Sequence, residues 1–288
     1  MTPRAPAQRT VAWIDGRLRE PAEVPLADRA ARGGEGLFET IRVERGEPLY
    51  WDRHMERLVI SAAELGFPVP PPPAALRQAL GDVLAQAELA DAQAAARITV
   101  TRGEPGRRPG HPGVWVEAQP LENRRWPGAR TQSARVVFSR RVFEAGFLAR
   151  YKTTSRLAYE ICREEARAAH ADEVLLVDAQ DRVLEGSSSS VFAVIGGRLL
   201  TPPLSLPLLP GIARAVTLER ARALGIEAAE AELTREQLMH ADELMVTNAL
   251  QQIVPVGRLG SRELPSRAIG LRLAASYGTA EARESFPR

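Results

Sequence analysis

The chain has 288 residues, 44% of them hydrophobic, enough to bury a sizeable core and to divide into two domains. Its 38 basic and 36 acidic residues leave a formal charge of +2, a near-balanced, arginine-rich composition rather than the clustered positive face of a nucleic-acid binder. One cysteine, Cys162, excludes an internal disulfide and any Cys-rich metal site. No stretch approaches the roughly 18 apolar residues of a membrane helix, and the N-terminus carries no apolar targeting segment. These features lead us to expect a soluble cytoplasmic protein with neither nucleic acid nor membrane as a partner.

In chain order, residues 1–10 read as a loose tail. "VAWIDGRLRE" reads as a strand pair turning at Asp15-Gly16, and "LFETIRVERGEPLYW" as a second hairpin turning at Arg45-Gly46. Asp52 is placed to cap a helix running through Leu65, with Met55, Leu58, Val59, Ala62 and Leu65 on one apolar stripe. "PVPPPP" (68–73) predicts a stiff connector into a helix over 74–89 that buries Leu76, Leu80, Val83, Leu84 and Ala87. "ARITVTRG" and "GVWVEAQP" are strands around a loop rich in Gly, Pro and Arg.

The polar "LENRRWPGAR" (121–130) reads as an interdomain linker between a small N-terminal domain, 1–120, and a larger C-terminal domain, 131–288. Beyond it we expect a strand over "ARVVFSRRVF", a helix over 157–170, and hairpins over "DEVLLVDAQDRVLEG" and "SVFAVIGGRLLTP". A helix follows over 211–224, then a short helix with a Thr234/Gln237 capping box and a buried strand in "DELMVTNAL". Strands and helices mixed in two blocks give an α/β or α+β protein.

Four features could carry chemistry, and each has an ordinary explanation. Lys152, in "FLARYKTTSRL", alone reads as solvated surface; partly desolvated, its amine would suit a Schiff base. Glu185, at the end of a strand in "RVLEGSSSSVFAV", alone reads as a surface carboxylate. Arg57, beside His54 and Ser61 and off the apolar stripe, reads as a solvated helix face. "LPGIARAV" leads from Pro210-Gly211 into a helix whose first N–H groups, from Ile212 and Ala213, offer an anion seat, although many such helix starts bind nothing. Taken together they offer an amine for an aldehyde, a carboxylate for a protonated ring nitrogen, and an arginine with a helix N-terminus for a phosphate. Those are the needs of pyridoxal 5'-phosphate.

The order of "GEGLFETIRV", "HMERL", "YKTTSRL", "LEGSSSSVF", "LPGIAR" and "VTNALQQIVPV" resembles the fold-type IV pyridoxal-phosphate enzymes, the class IV aminotransferase family. The family includes branched-chain aminotransferases, D-amino acid aminotransferases and aminodeoxychorismate lyases. The resemblance implies a two-domain α/β fold, with a small α/β sandwich domain and a larger pseudo-barrel α/β domain carrying the lysine. It also implies a homodimer, with pyridoxal 5'-phosphate between the two domains and a small amine or amino acid as substrate. In that scheme Lys152 is the catalytic and cofactor-bearing amine, and Glu185 faces the pyridine nitrogen. Ser187, Ser188 and Ser189 supply hydrogen bonds around the cofactor. Arg57 holds the phosphate with the Ile212 and Ala213 amides, helped by Thr247 or Asn248. No metal is implied.

The branches of the family are separated by finer departures. Leu157 stands where the branched-chain pattern has tyrosine, and Arg156-Leu157 and "TNAL" resemble the lyase pattern. Ala213 and Ala249 stand where aminotransferases place phosphate-binding threonines. "EGSSSSVF" is instead closest to the D-amino acid aminotransferases, although Ser190 replaces their asparagine. Arg107 falls where both the D-amino acid aminotransferases and the lyases place an arginine for the substrate carboxylate. Pro109 replaces the accompanying histidine of the D-amino acid aminotransferases, and His111, two residues on, reads as an exposed loop residue. The resemblance leads us to expect a 4-amino-4-deoxychorismate lyase that releases pyruvate and 4-aminobenzoate, a folate precursor. The alternative is a D-amino acid or other class IV aminotransferase.

Overall fold

A computed structural model describes residues 11–106 and 111–277 of the chain, which fold as two compact units. The first takes in the chain up to Arg124 together with Tyr151–Ser155. The second takes in Arg125–Arg150 and the chain from Arg156 onward. Lys152, expected within the C-terminal block, thus lies in a five-residue segment that packs with the first unit. The 1–10 tail and Arg107 lie outside the described residues.

In the first unit, β1 (Ala12–Ile14), β2 (Arg17–Arg19), helix α1 (Arg29–Gly33), β3 (Gly36–Glu44), β4 (Glu47–Pro48), helices α2 (Trp51–Glu64) and α3 (Pro73–Gln86), β5 (Gln93–Thr101) and β6 (Gly113–Pro120) follow in order. The strands form a six-stranded antiparallel sheet in the order β2-β1-β6-β5-β3-β4. Both hairpin turns fall where the sequence puts them. Asp15 and Gly16, and Arg45 and Gly46, all have positive φ, the conformation that two-residue hairpins require. Alternate residues Leu37, Ile41 and Val43 of β3 bury against Met55, Leu58 and Ala62 of α2 and against Leu76, Leu80 and Val83 of α3.

Helix α2 departs from the pattern expected of it. Tyr50, in the left-handed region, sits at its N-cap with no side-chain cap bond, and Asp52 is only a first-turn residue. Val59 is 42% exposed, whereas His54 and Ser61 are buried beside Met55, Leu58 and Ala62. The buried face is thus turned toward a polar strip, because the sheet offers that strip a carboxylate (below). Helix α3 ends at Gln86, short of the predicted Leu89, and Ala87 is only partly buried.

The second unit follows a 3-10 turn at Leu121–Arg124 that closes the first. It runs through α4 (Pro127–Thr131), β7 (Ala134–Val142), α5 (Leu157–Ala168), β8 (Glu173–Val177), β9 (Val183–Gly186), β10 (Ser190–Ile195), β11 (Arg198–Thr201), α6 (Ile212–Ala223), β12 (Ala228–Glu230), α7 (Arg235–His240), β13 (Glu243–Asn248), β14 (Gln252–Leu259), β15 (Arg262–Glu263) and α8 (Ala268–Ser276). Part of the segment read as a linker is therefore helical, since Pro127 starts α4. The sheet runs β12-β11-β10-β13-β14-β7-β8-β9, with β15 on β14. It is mixed and half-barrel-like, as the family resemblance implied. Strand β8 is buried at every residue and β10 at all but its last, so they read as continuous apolar runs. The Thr234/Gln237 capping box forms as predicted, and Gly225 closes α6 at φ 67.

Candidate functional site

In the first unit the segment carrying Lys152 is zipped onto the start of β3. Phe38 N donates to Lys152 O at 2.9 Å, Thr154 N donates to Gly36 O at 2.8 Å, and Leu37 and Thr153 form an antiparallel bridge. The lysine backbone is therefore held as an added edge of sheet rather than as a free turn. Its Nζ lies 4.7 Å from the centroid of the Phe38 ring, against which the Arg97 guanidinium also stacks at 3.7 Å. Lys152 is half-buried.

Arg57 is not on a solvated face. Its side chain is 13% exposed, and Glu39, 1% exposed, grips it. Nε donates to Glu39 Oε1 at 2.8 Å and an Nη donates to Oε2 at 2.6 Å, a bidentate fork. His54 Nδ1 reaches the same Oε2 at 2.7 Å. Burial alone would push the Glu39 carboxyl up; the Arg57 charge and the His54 hydrogen bond overcome it and hold the group at about 2. Burial pushes His54 down from its ordinary value, against the pull of Glu39, and the nearby charges of Arg57 and Lys152 act in the same direction as burial. The imidazole is thus neutral at pH 7 and donates through Nδ1–H. Glu39 was legible as an oddity in the sequence, being a carboxylate on the inward side of the alternating Leu37, Ile41, Val43 series.

In the second unit Glu185 is buried, at 6% exposure, at the end of β9. The Tyr159 hydroxyl approaches its Oε1 at 3.4 Å and Leu209 N its Oε2 at 3.3 Å. Tyr159 is pushed up from its ordinary value, first by burial and then by the Glu185 charge, so it stays a protonated donor. The Arg156 guanidinium lies 3.6 Å from the Tyr159 ring centroid and donates to Ser187 O at 2.7 Å.

The crowd of serines after Glu185 serves a second carboxylate. Glu173, 1% exposed, accepts the hydroxyls of Ser187 (2.5 Å), Ser188 (3.0 Å) and Ser189 (2.8 Å). It also accepts the backbone N–H groups of Val174, Ser187 and Ser188 at 2.9 to 3.1 Å. Each hydroxyl has one proton, and Glu173 takes all three. Nothing marked Glu173 beforehand, because it opens an apolar strand where a carboxylate ordinarily reads as an exposed end.

The start of α6 fits an anion. Gly211 is its N-cap, and the first-turn amides of Ile212 and Ala213 have no partner within the helix. A Cβ on Gly211 would lie 2.7 Å from Ser190 Oγ, so the helix start is pressed against that serine. Ser190 is the cross-strand partner of Thr247. Thr247 Oγ1 is buried with no hydrogen-bond partner among the described residues, which is costly unless a ligand satisfies it. Asn248 Oδ1 is occupied, accepting from Leu250 N at 3.0 Å and Gln251 N at 2.8 Å. His111 is exposed and Leu157 is 74% exposed.

The sequence model of class IV aminotransferases matches residues 36–259. The chain belongs to that family. Family members are pyridoxal-phosphate enzymes. A Methanocaldococcus jannaschii protein bearing the provisional name branched-chain-amino-acid aminotransferase is 31% identical over 90% of this chain and 91% of its own. An aminodeoxychorismate lyase of Vibrio harveyi is 27% identical over 87% and 92%. A D-alanine aminotransferase of Bacillus licheniformis is 27% identical over 89% and 91%. Among solved structures, the branched-chain amino acid aminotransferase of Escherichia coli superposes with a TM-score of 0.85 at 26% identity, covering 97% of each chain. The pyridoxal-phosphate-bound form of a hypothetical aminotransferase from Mycobacterium tuberculosis gives 0.82 at 25%, covering 96% of this chain and 99% of that one.

Proposed function

We propose that this class IV enzyme is a pyridoxal-phosphate-dependent aminotransferase acting on a small amino acid. The observation that carries the cofactor assignment is the orphaned, buried Thr247 hydroxyl near the open first turn of α6, a donor set suited to a phosphate. Amino transfer is supported by the relatives: the 31% identical archaeal protein and the Bacillus enzyme both bear aminotransferase names.

The residues take these roles. When bound, the cofactor draws electrons away from the substrate carbon that bears nitrogen. Lys152 Nζ would anchor the cofactor and, once freed by the incoming amine, would take the proton from that carbon and carry it past the nitrogen to the carbon beyond. The Glu185 carboxylate holds the proton on the facing ring nitrogen, and Tyr159 O–H and Leu209 N–H steady that carboxylate. The Ile212 and Ala213 amides and Thr247 Oγ1 would hold phosphate oxygens, and the family resemblance gives Arg57 a phosphate-binding task. Ser187 to Ser189 act indirectly, by shaping the turn after Glu185 around Glu173. Arg107 keeps its assignment to the substrate carboxylate. The chain works as a homodimer, and a monomer mass in light scattering at micromolar concentration would contradict that.

A second reading, 4-amino-4-deoxychorismate lyase, is favoured by Arg156-Leu157, by Ala249 in "TNAL" and by the Vibrio relative. In that chemistry Lys152 lifts the same proton, and the ring substituent leaves instead of the proton returning. One experiment separates the two. Cofactor-loaded protein is offered D-alanine, L-leucine or L-valine with 2-oxoglutarate and, separately, aminodeoxychorismate generated in situ. We expect glutamate formation that Lys152→Ala abolishes; 4-aminobenzoate production without amino transfer would overturn the aminotransferase assignment.

A further inference from the structure

We infer that Glu39 is a positioning residue for the cofactor phosphate, acting through Arg57. The inference rests on the reading of Arg57 as a phosphate ligand. Glu39 lies on the face of β3 that packs against α2, where His54 and Arg57 stand one helical turn apart. Its two oxygens take Nε and one Nη of Arg57 in a fork at 2.8 and 2.6 Å, and the oxygen facing Nη also takes the His54 Nδ1–H at 2.7 Å. A guanidinium held along one edge by two parallel bonds has its plane and direction set, whereas a free arginine side chain samples many rotamers.

The chemistry of the cluster fits this task. A guanidinium only 13% exposed would be expensive to keep in place without an anion beside it. Without Glu39 it would swing toward water, and a phosphate would have to draw it back before binding. Glu39 provides the anion in advance, so the arginine is already in place when the cofactor arrives. His54 is suited to steady the carboxylate because burial keeps the ring neutral. It donates one hydrogen bond without setting a second positive charge beside Arg57.

The test is cofactor affinity, measured on full-length protein stripped of cofactor and titrated with pyridoxal 5'-phosphate, with the phosphorus NMR line of the bound phosphate as a second readout. Glu39→Gln should weaken binding roughly 10- to 100-fold and move or broaden that line, while circular dichroism stays unchanged. Arg57→Ala should weaken binding at least as much. The double variant should bind no worse than Arg57→Ala alone, because Glu39 has nothing left to orient. Wild-type affinity in Glu39→Gln, or an additive loss in the double variant, would overturn the inference while leaving Arg57 as a ligand. Unchanged affinity in Arg57→Ala would instead remove the reading on which it rests. Should Glu39→Gln fail to fold, Glu39→Asp keeps the charge but falls a methylene short of the fork. A several-fold loss there supports the inference, and wild-type affinity overturns it.

Discussion

Two carboxylates are buried to the same degree in this protein, one in each unit, by opposite means. Glu39 is matched by a charge: a guanidinium fork and one imidazole N–H surround it. Among the described residues Glu173 is matched by neutral dipoles, three hydroxyls and three backbone amides. A charged partner ties the carboxylate to one other side chain and directs that side chain in return. A shell of dipoles instead ties it to the backbone, and so fixes the shape of the turn that follows Glu185. The first arrangement orients a cation, and the second builds a loop.

The largest expected effect comes from emptying the dipole shell. Glu173→Ala takes the acceptor from three hydroxyls and from the Val174 and Ser188 amides, while Ser187 N keeps Val174 O; with each orphan costing about 1–3 kcal/mol and water entering to recover part of it, we expect a loss of about 3–5 kcal/mol. Urea denaturation monitored by circular dichroism measures it; a loss below about 1 kcal/mol would mean that the turn stands without Glu173.

The charged pair should differ in its pH dependence. The Glu39 carboxyl titrates at about 2 in the folded protein against 4.5 as its ordinary value. A depressed carboxyl contributes stability that is complete above the unfolded value and is lost as pH falls through the folded one. Wild type should therefore hold an advantage over Glu39→Gln, on the order of 3 kcal/mol at neutral pH. That advantage should shrink as pH falls from about 4.5 toward 2. Denaturation curves at several pH values test this, and a pH-independent difference would show that the pair contributes no linkage.

The smallest effect reverses sign. Thr247 Oγ1 is buried but has no partner among the described residues, unlike every oxygen of the two carboxylates. Thr247→Val keeps the shape and deletes the orphan, so the cofactor-free protein should gain about 1 kcal/mol. The same change should cost roughly tenfold in affinity for pyridoxal 5'-phosphate, the equivalent of about 1.4 kcal/mol. Equal affinity in calorimetric titration would remove Thr247 from the phosphate site.

Much of this was legible beforehand. Two-residue turns at Asp15-Gly16 and Arg45-Gly46 and the capping box at Thr234 all act within a few residues, and each formed as read. What local reading missed involves partners far apart in the chain. Asp52 had the right chemistry for a cap, yet the chain enters α2 through Tyr50 in the left-handed region. Val59 continued an apolar stripe that the structure rotates toward His54 and Ser61. The serines beside Glu185 announced that hydroxyls were wanted there, but not for which carboxylate.

The sequence by itself determined the two-block α/β plan, the family, and the residue types that could meet a pyridoxal phosphate. Strand period, turn chemistry and ordered motifs are local properties of a chain, and they survive without coordinates. Only the tertiary structure decided that Arg57 is gripped by Glu39 rather than solvated, and that Glu173 claims the serine protons. It also decided that Lys152 is zipped along β3 and that Thr247 is left without a partner. Which donor meets which acceptor depends on residues 18, 14 and 16 positions apart, as in Glu39 with Arg57 and Glu173 with Ser187 and Ser189. Those pairings are settled by burial, which makes every unmatched polar atom costly and so selects the one arrangement that satisfies them.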